Sequence, residues 1–464
     1  MFFEGNPQAW LGSGRFQLFD PVALLANLAW QELMTCARDD STAQFKARLI
    51  ALIAQLDSAI SEQLSAVIQA PQFKQLEASW QGLTSLTSLP VSQRRVKVKL
   101  LDLSWDRVSN DLNYSFDLKQ SALYKKLYAN EFDTAGGTPF GLVMVDHQVT
   151  SDYGDELGYD DLYTLQLLSE LGELALCPMV MGVDEDFFGD DQSRQLHDSA
   201  RAERILNSRD FTSWQLLRDK PSARFLYLVL PEYLQRPPYQ QYPAGFLFNE
   251  PQGKEHALWG NSAYLLTSNV IREFDRISWF GFLRSYDEFA SYGAIVAGAE
   301  SVQAKVDLYS EEDGFWANQG FVPLTSLYLS GHKGFFSNQS VWRAPDDAAR
   351  QLGMLQTNLM ACRFGHYIKA QIRDQIGRYD SAEDCKRSLE RWLQNYISEV
   401  DYGEDSIMAR YPLKSSQVRI EELPQDRTRY RCDIMLQPQY QYEMMDAQVV
   451  LTTSVSGLEI GENA

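Results

Sequence analysis

Apolar positions along the chain change their spacing several times, and each change marks a different kind of element. From Ala47 to Ala70, the residues Leu49, Ile50, Ile53, Leu56, Ile60, Leu64, Val67 and Ile68 fall on one stripe at helical period, and Pro71 closes it. Residues 1–90 therefore read as a helical region. At Arg95 the period drops to two. Val96, Val98 and Leu100 alternate with Arg95, Lys97 and Lys99, which predicts a half-buried strand. Residues 105–132 return to a mostly helical pattern. Short apolar runs at 140–145, 179–183, 225–230 and 277–283 lack alternation and predict buried strands. Between them, 162–174, 201–218 and 256–274 predict helices, with a proline-rich break at Pro231, Pro237, Pro238 and Pro243. Unalternating strands separated by helices point to an α/β fold: a mostly parallel or mixed sheet flanked by helices.

The last third follows another rhythm. Residues 348–376 place Leu352, Leu355, Leu359 and Cys362 on one face of a long amphipathic helix. Its tail carries Lys369, Arg373 and Arg378, which suit the negative end of a helix dipole, and Gly377 is a natural stop. Ser381-Ala382-Glu383-Asp384 resembles a capping box that opens a second helix through Ile397. Three strand signals follow: Val418 and Ile420; Tyr430, Cys432, Ile434 and Leu436; Val449, Leu451, Thr453 and Val455. The expected organisation is a helical region at 1–90, an α/β body at 91–340 and a C-terminal helix-plus-strand region at 341–464.

Composition narrows the function. The chain has 464 residues, enough for a large core, and a net charge of −20. That charge disfavours nucleic acid and anionic membranes as partners, because both select a cationic face. The stretch from Asp146 to Gln192 holds 13 acidic residues and no Lys or Arg. Solvated loops explain most of it; a charge-complementary contact is the sharper reading. Five scattered cysteines without a C-x-x-C pair read as reduced thiols. No signal peptide and no run of about 18 apolar residues is found, so a cytoplasmic protein without membrane insertion is expected.

Catalytic patterns are missing. Gly253-Lys254 is followed by Glu255 instead of the hydroxyl residue that a phosphate loop needs. The five histidines are far apart and none has a metal-ligand spacing, so no metal or cofactor is expected. His366 reads as a packed structural residue. Asp160-Asp161, and Glu170 with Glu173, imitate paired glycosidase carboxylates. Together with eight tryptophans (Trp80, Trp105, Trp214, Trp259, Trp279, Trp316, Trp342 and Trp392) they motivate one alternative, an α/β hydrolase acting on carbohydrate. With 62 acidic residues such pairs arise by chance, and the tryptophans suit cores and interfaces.

Aromatic-rich signatures recur in a fixed order. They include Leu76-Glu77-Ala78-Ser79-Trp80-Gln81-Gly82-Leu83, Gln120-Ser121-Ala122-Leu123-Tyr124-Lys125-Lys126 and Gly136-Gly137-Thr138-Pro139-Phe140-Gly141. Leu258-Trp259-Gly260-Asn261-Ser262-Ala263-Tyr264, Gly320-Phe321-Val322-Pro323-Leu324 and Arg363-Phe364-Gly365-His366-Tyr367-Ile368-Lys369 follow, and Arg391–Tyr396 and Ala409–Leu413 close the series. This collinear set resembles the large subunit of the type VI secretion contractile sheath, the TssC/VipB family. One departure is the segment Tyr309–Trp316, which lacks the arginine that family members tend to carry there.

The resemblance implies a non-enzymatic structural subunit with a contractile-sheath-like fold. It would pair with a small sheath subunit (TssB/VipA-like), stack with copies of itself in helical rings around an inner tube (Hcp-like), meet a baseplate, and be recycled by an AAA+ ATPase. It also implies strands lent between neighbours. The C-terminal strand residues Val418, Ile420, Tyr430, Cys432, Ile434, Leu436, Val449 and Leu451 are the expected partner-binding set, with Lys369, Arg373 and Arg378 as a basic patch facing the tube or a neighbour.

Overall fold

The computed structural model describes residues 42–134, 136–151, 160–189, 196–243, 245–286, 292–298, 302–328, 331–375, 382–397, 405–423, 426–438 and 449–456. The chain divides into two compact units, Met1–Gln81 with Leu234–Gly260, and Gly82–Tyr233 with Asn261–Ala464.

In the first unit, α1 (Thr42–Ile68) carries the predicted stripe, and α2 (Pro71–Thr87) starts at the residue that ends it. Proline lacks an N–H, which the first helical position does not use, so Pro71 both stops one helix and opens the next. A small strand pair, Tyr242–Pro243 against Leu247–Phe248, lies in the 234–260 segment. Arg236 is the node of this unit. Its Nε lies 2.7 Å from Glu77 and its Nη1 2.7 Å from the buried Glu250. Gln69 donates to the same Glu250 carboxylate at 2.7 Å, and Tyr239 supports the guanidinium from 4.2 Å below. Burial works against the charge on Arg236; the hydrogen bonds to Glu77 and Glu250 outweigh it and hold the proton more firmly than usual.

The second unit is built on a parallel sheet. Its strands β1 (Val143–Val149), β2 (Met179–Val183), β3 (Leu226–Leu230) and β4 (Phe321–Pro323) pair in that order, all parallel. Every residue of β2 and β3 is buried. The period of two sorts them between two cores. Met179, Met181, Leu226, Leu228 and Phe321 face one cluster with Leu165, Leu168, Trp214 and Trp316; Val180, Tyr227, Val229 and Val322 face another with Leu266, Val270 and Leu359. In chain order, the further helices of six or more residues up to Gln375 are α3 (Trp105–Asn113), α4 (Asp161–Ala175), α5 (Ser199–Leu206), α6 (Thr212–Arg218), α7 (Ala263–Ile277), α8 (Asp313–Asn318), α9 (Asp347–Leu352) and α10 (Leu355–Gln375).

Several expected elements differ. The helix expected over 201–218 breaks into α5 and α6 around a 3-10 turn at Arg209–Phe211, and that expected over 348–376 breaks at Gly353 into α9 and α10. The helix expected from His256 begins at Ala263, because Leu258–Gly260 is a strand and the Asn261 side chain accepts from the Ala263 N–H at 2.9 Å. Residues 277–283 form no strand. Ser278 ends α7 in the left-handed region at φ 59°, and Trp279, Phe280, Phe282 and Leu283 are buried in turns. An apolar run this short records burial without specifying a ladder. The predicted strand at 95–100 is not formed: residues 93–95 make a turn, with the Arg95 and Val96 N–H groups on the Ser92 carbonyl, and residues 96–100 join no helix or sheet among the described residues.

Candidate functional site

The signatures are packing nodes within the second unit. A Cβ on Gly82 would meet the Tyr264 ring at 2.4 Å, so only glycine lets α2 approach the start of α7. Gly320 turns the chain between α8 and β4 at φ 90°, a conformation that side chains disfavour. On α10, Phe364 meets Trp279, Trp392 and Tyr396 edge-on, with centroids 5.6, 6.3 and 5.6 Å away. Glu131 receives the Thr138 N–H at 3.0 Å and the Lys99 ammonium at 2.6 Å; the lysine bond draws its carboxyl below the usual range.

His366 sits edge-on to Phe132, with Nε2 3.1 Å from the Ala175 carbonyl. Burial pushes its pKa down to about 4, against the raising effect of the Ala175 and Leu176 carbonyls, so the ring is neutral and structural.

The carboxylate pairs that suggested hydrolysis are engaged in holding the fold. Asp160 caps α4 by accepting from the Leu162 N–H at 2.9 Å. Asp161 accepts from Trp105 Nε1 at 2.6 Å and from the Thr150 N–H at 3.0 Å, and lies 2.9 Å from His147 Nε2. Glu170 pairs with Lys220 and Glu173 with Arg224. Trp214 and Trp316 are fully buried, and Trp105 stacks on His147 at 4.1 Å. Among the described residues no His, Cys, Asp or Glu group is arranged to hold a metal ion, and Cys177, Cys362, Cys385 and Cys432 are buried and unbridged.

The C-terminal strands form the remaining candidate. After α11 (Ala382–Gln394) and α12 (Asp405–Arg410), the strands β5 (Leu413–Leu423), β6 (Asp426–Pro438) and β7 (Val449–Ser456) make an antiparallel sheet with β6 in the middle. The register sets Val418 opposite Ile434 and Ile434 opposite Leu451; Ile420 faces Cys432, and Leu436 faces Val449. Val418, Cys432, Ile434 and Leu436 are buried, and Ile420 and Leu451 pack beside them, against a core shared with Phe364 and Ile368 of α10 and Cys385, Leu389 and Leu393 of α11. These six side chains are thus occupied by the chain itself. Tyr430 pairs through its backbone with Glu422 and Val455.

The opposite face is open. Gln417 and Arg419 are exposed, and Val450 is 55% exposed. Ile397 bridges to Leu413 at the start of β5. Beyond that bridge, among the described residues, β5 and β7 have a strand neighbour on one side only.

Of the expected basic patch, Lys369 is the residue whose side chain is described. Lys369 turns inward: its ammonium bonds the Tyr128 hydroxyl, pairs with Asp133 at 2.8 Å and lies 4.4 Å from the Phe132 ring centre. Arg373 lies in α10, and Arg378 falls outside the described residues. Helical spacing did not reveal that aromatic rings would surround Lys369; the Tyr124, Tyr128, Phe132 series at i, i+4, i+8 was the available signal.

Residues 51–342 match the family described as VipB, EvpB/VC_A0108 tail sheath N-terminal domain, and residues 345–455 match the EvpB/VC_A0108 tail sheath gpW/gp25-like domain. A curated relative, the type VI secretion system sheath protein TssC1 of Pseudomonas aeruginosa, is 24% identical over 432 residues, covering 87% of this chain and 85% of the relative. Crystal structures of sheath tail proteins from Desulfitobacterium hafniense and Listeria innocua align with TM-scores of 0.29 and 0.29 at 9% and 11% identity. Each covers 64% of this chain, which spans 62% and 60% of theirs.

Proposed function

The chain belongs to the VipB (EvpB) tail sheath family and is a large subunit of the type VI secretion contractile sheath, and from that premise we propose that its C-terminal sheet is where subunits are joined. One observation carries this reading: the inner face of the sheet is sealed into the chain's own core while both outer strands keep an unshared edge among the described residues. An edge strand offers a row of backbone donors and acceptors, and each hydrogen bond formed there contributes about 0.5–1.5 kcal/mol net. The partner-binding role of Val418, Ile420, Cys432, Ile434, Leu436 and Leu451 is then indirect: they fix the sheet to the body, and the backbones of β5 and β7 make the contact. The same holds for Tyr430 and Val449, whose backbones set the register.

The partners that fit are a small sheath subunit and further copies of this chain in helical rings. The inner tube, the baseplate and a recycling ATPase follow from the family reading, as does assembly in the cytoplasm. No described helix is long and apolar enough to cross a membrane. We keep 1–90, 91–340 and 341–464 as working regions; the start of the second family match at residue 345 supports the last division.

Co-expression with a small sheath subunit, followed by negative-stain microscopy, tests the assignment. Hollow cylinders are expected from the pair. Monodisperse monomers that ignore the small subunit would overturn it.

A further inference from the structure

After α2 and the turn at 93–95, residues 96–101 form an irregular run that joins no sheet among the described residues. The Val96 N–H bonds the Ser92 carbonyl at 3.0 Å, but from Lys97 to Leu101 the backbone makes no hydrogen bond among the described residues. Val98, Leu100 and Leu101 are 46%, 68% and 46% exposed. The run is nonetheless held in place. On its N-terminal side, the Ser92 N–H donates to the Asp275 carboxylate at 3.0 Å and Arg95 to the Asp275 carbonyl at 2.7 Å. In its middle, Lys99 pairs with Glu131 at 2.6 Å, and beyond it Leu103 packs into the core. Alternating residues, backbone groups without hydrogen bonds among the described residues and exposed aliphatic side chains are together what a segment awaiting a strand partner offers.

We infer that residues 96–101 receive a strand from the small sheath subunit, one in which apolar and acidic residues alternate. This rests on the reading of the chain as a large sheath subunit. Charge selects the occupant. Lys99 is already paired with Glu131, but Arg94, Arg95 and Lys97 put three further cations in four residues of a chain whose net charge is −20. A copy of the same segment laid alongside would set like charges opposite one another, which weakens a ladder, whereas an acidic strand would pair with them. The alternation also gives the added strand a register, because a slip of one residue would turn its apolar side chains away from Val98 and Leu100.

The test uses the full chain assembled with its small subunit, carrying a benzophenone photocrosslinker at Leu100. The expected product is an adduct with the small subunit, mapping to an extended acidic segment. An adduct with a second copy of this chain, or no adduct in well-formed cylinders, overturns the inference while leaving the sheath reading intact. If cylinders never form, the sheath reading fails and takes the inference with it. A second arm pairs Val98→Asp with Leu100→Asp. Both side chains are exposed, so the melting of the isolated chain should stay unchanged while affinity for the small subunit drops by about tenfold or more. Unchanged affinity, or a large fall in melting temperature of the isolated chain, counts against it.

Discussion

The two main sheets of the second unit solve opposite problems. In the parallel sheet, β2 and β3 are buried along their whole length, and alternate residues feed two separate cores. In the C-terminal sheet only one face is buried, and Val450 stands in solvent on the other. The first arrangement invests both faces of its inner strands in the stability of the chain. The second invests one face, and its outer strands have a strand neighbour on one side only among the described residues. A subunit that must hold its own shape while its connections are strained needs both kinds.

The sharpest way to break this comparison is to hollow out the parallel-sheet core. Phe321→Ala removes a ring that stacks on Trp214 at 5.2 Å and meets Phe187 and Phe188. It should cost about 3–5 kcal/mol in denaturant unfolding. In the C-terminal sheet, Ile434→Ala should cost about 2–4 kcal/mol, because the side chain is fully enclosed. A cost as small as that of a surface change would show that the sheet is not anchored to the body.

A third measurement addresses α10, which contributes to the cores beneath both sheets. His366 has a folded pKa of about 4 against an ordinary 6.5. The unfolded chain therefore takes up this proton first as pH falls, and its stabilising contribution, fully present above pH 6.5, is lost between 6.5 and 4. The loss should be about 1–3 kcal/mol, and His366→Gln should flatten that limb of the stability curve. The smallest effect is expected at the open face: Val450→Lys should change stability by less than about 0.5 kcal/mol.

Much of this was legible in the residues. Met179–Val183 falls where the unalternating apolar run predicts it, and the alternation of Tyr430, Cys432, Ile434 and Leu436 marks β6 because one face of that strand is buried. Periodicity failed where burial and hydrogen bonding part company. Trp279–Leu283 is as apolar as a strand but is buried in turns, and 95–100 alternates like a strand without joining a sheet among the described residues. The candidate site was half readable. Alternation identified the strands, yet it cannot say whether their apolar face meets the chain's own helices or another subunit; the answer depends on Phe364, Leu389 and Leu393, far away in sequence. Likewise, the inward turn of Lys369 depends on Asp133 and Tyr128, more than two hundred residues earlier.

The helix α10 has a mechanical consequence. Its 21 residues make a rod about 30 Å long. Leu355 and Leu359 root it near the body, Lys369 clamps it to Tyr128 and Asp133, and the C-terminal strands rest against its flank. The C-terminal strands are thereby seated on a stiff rod that is itself pinned at several points along its length, and not on loose chain.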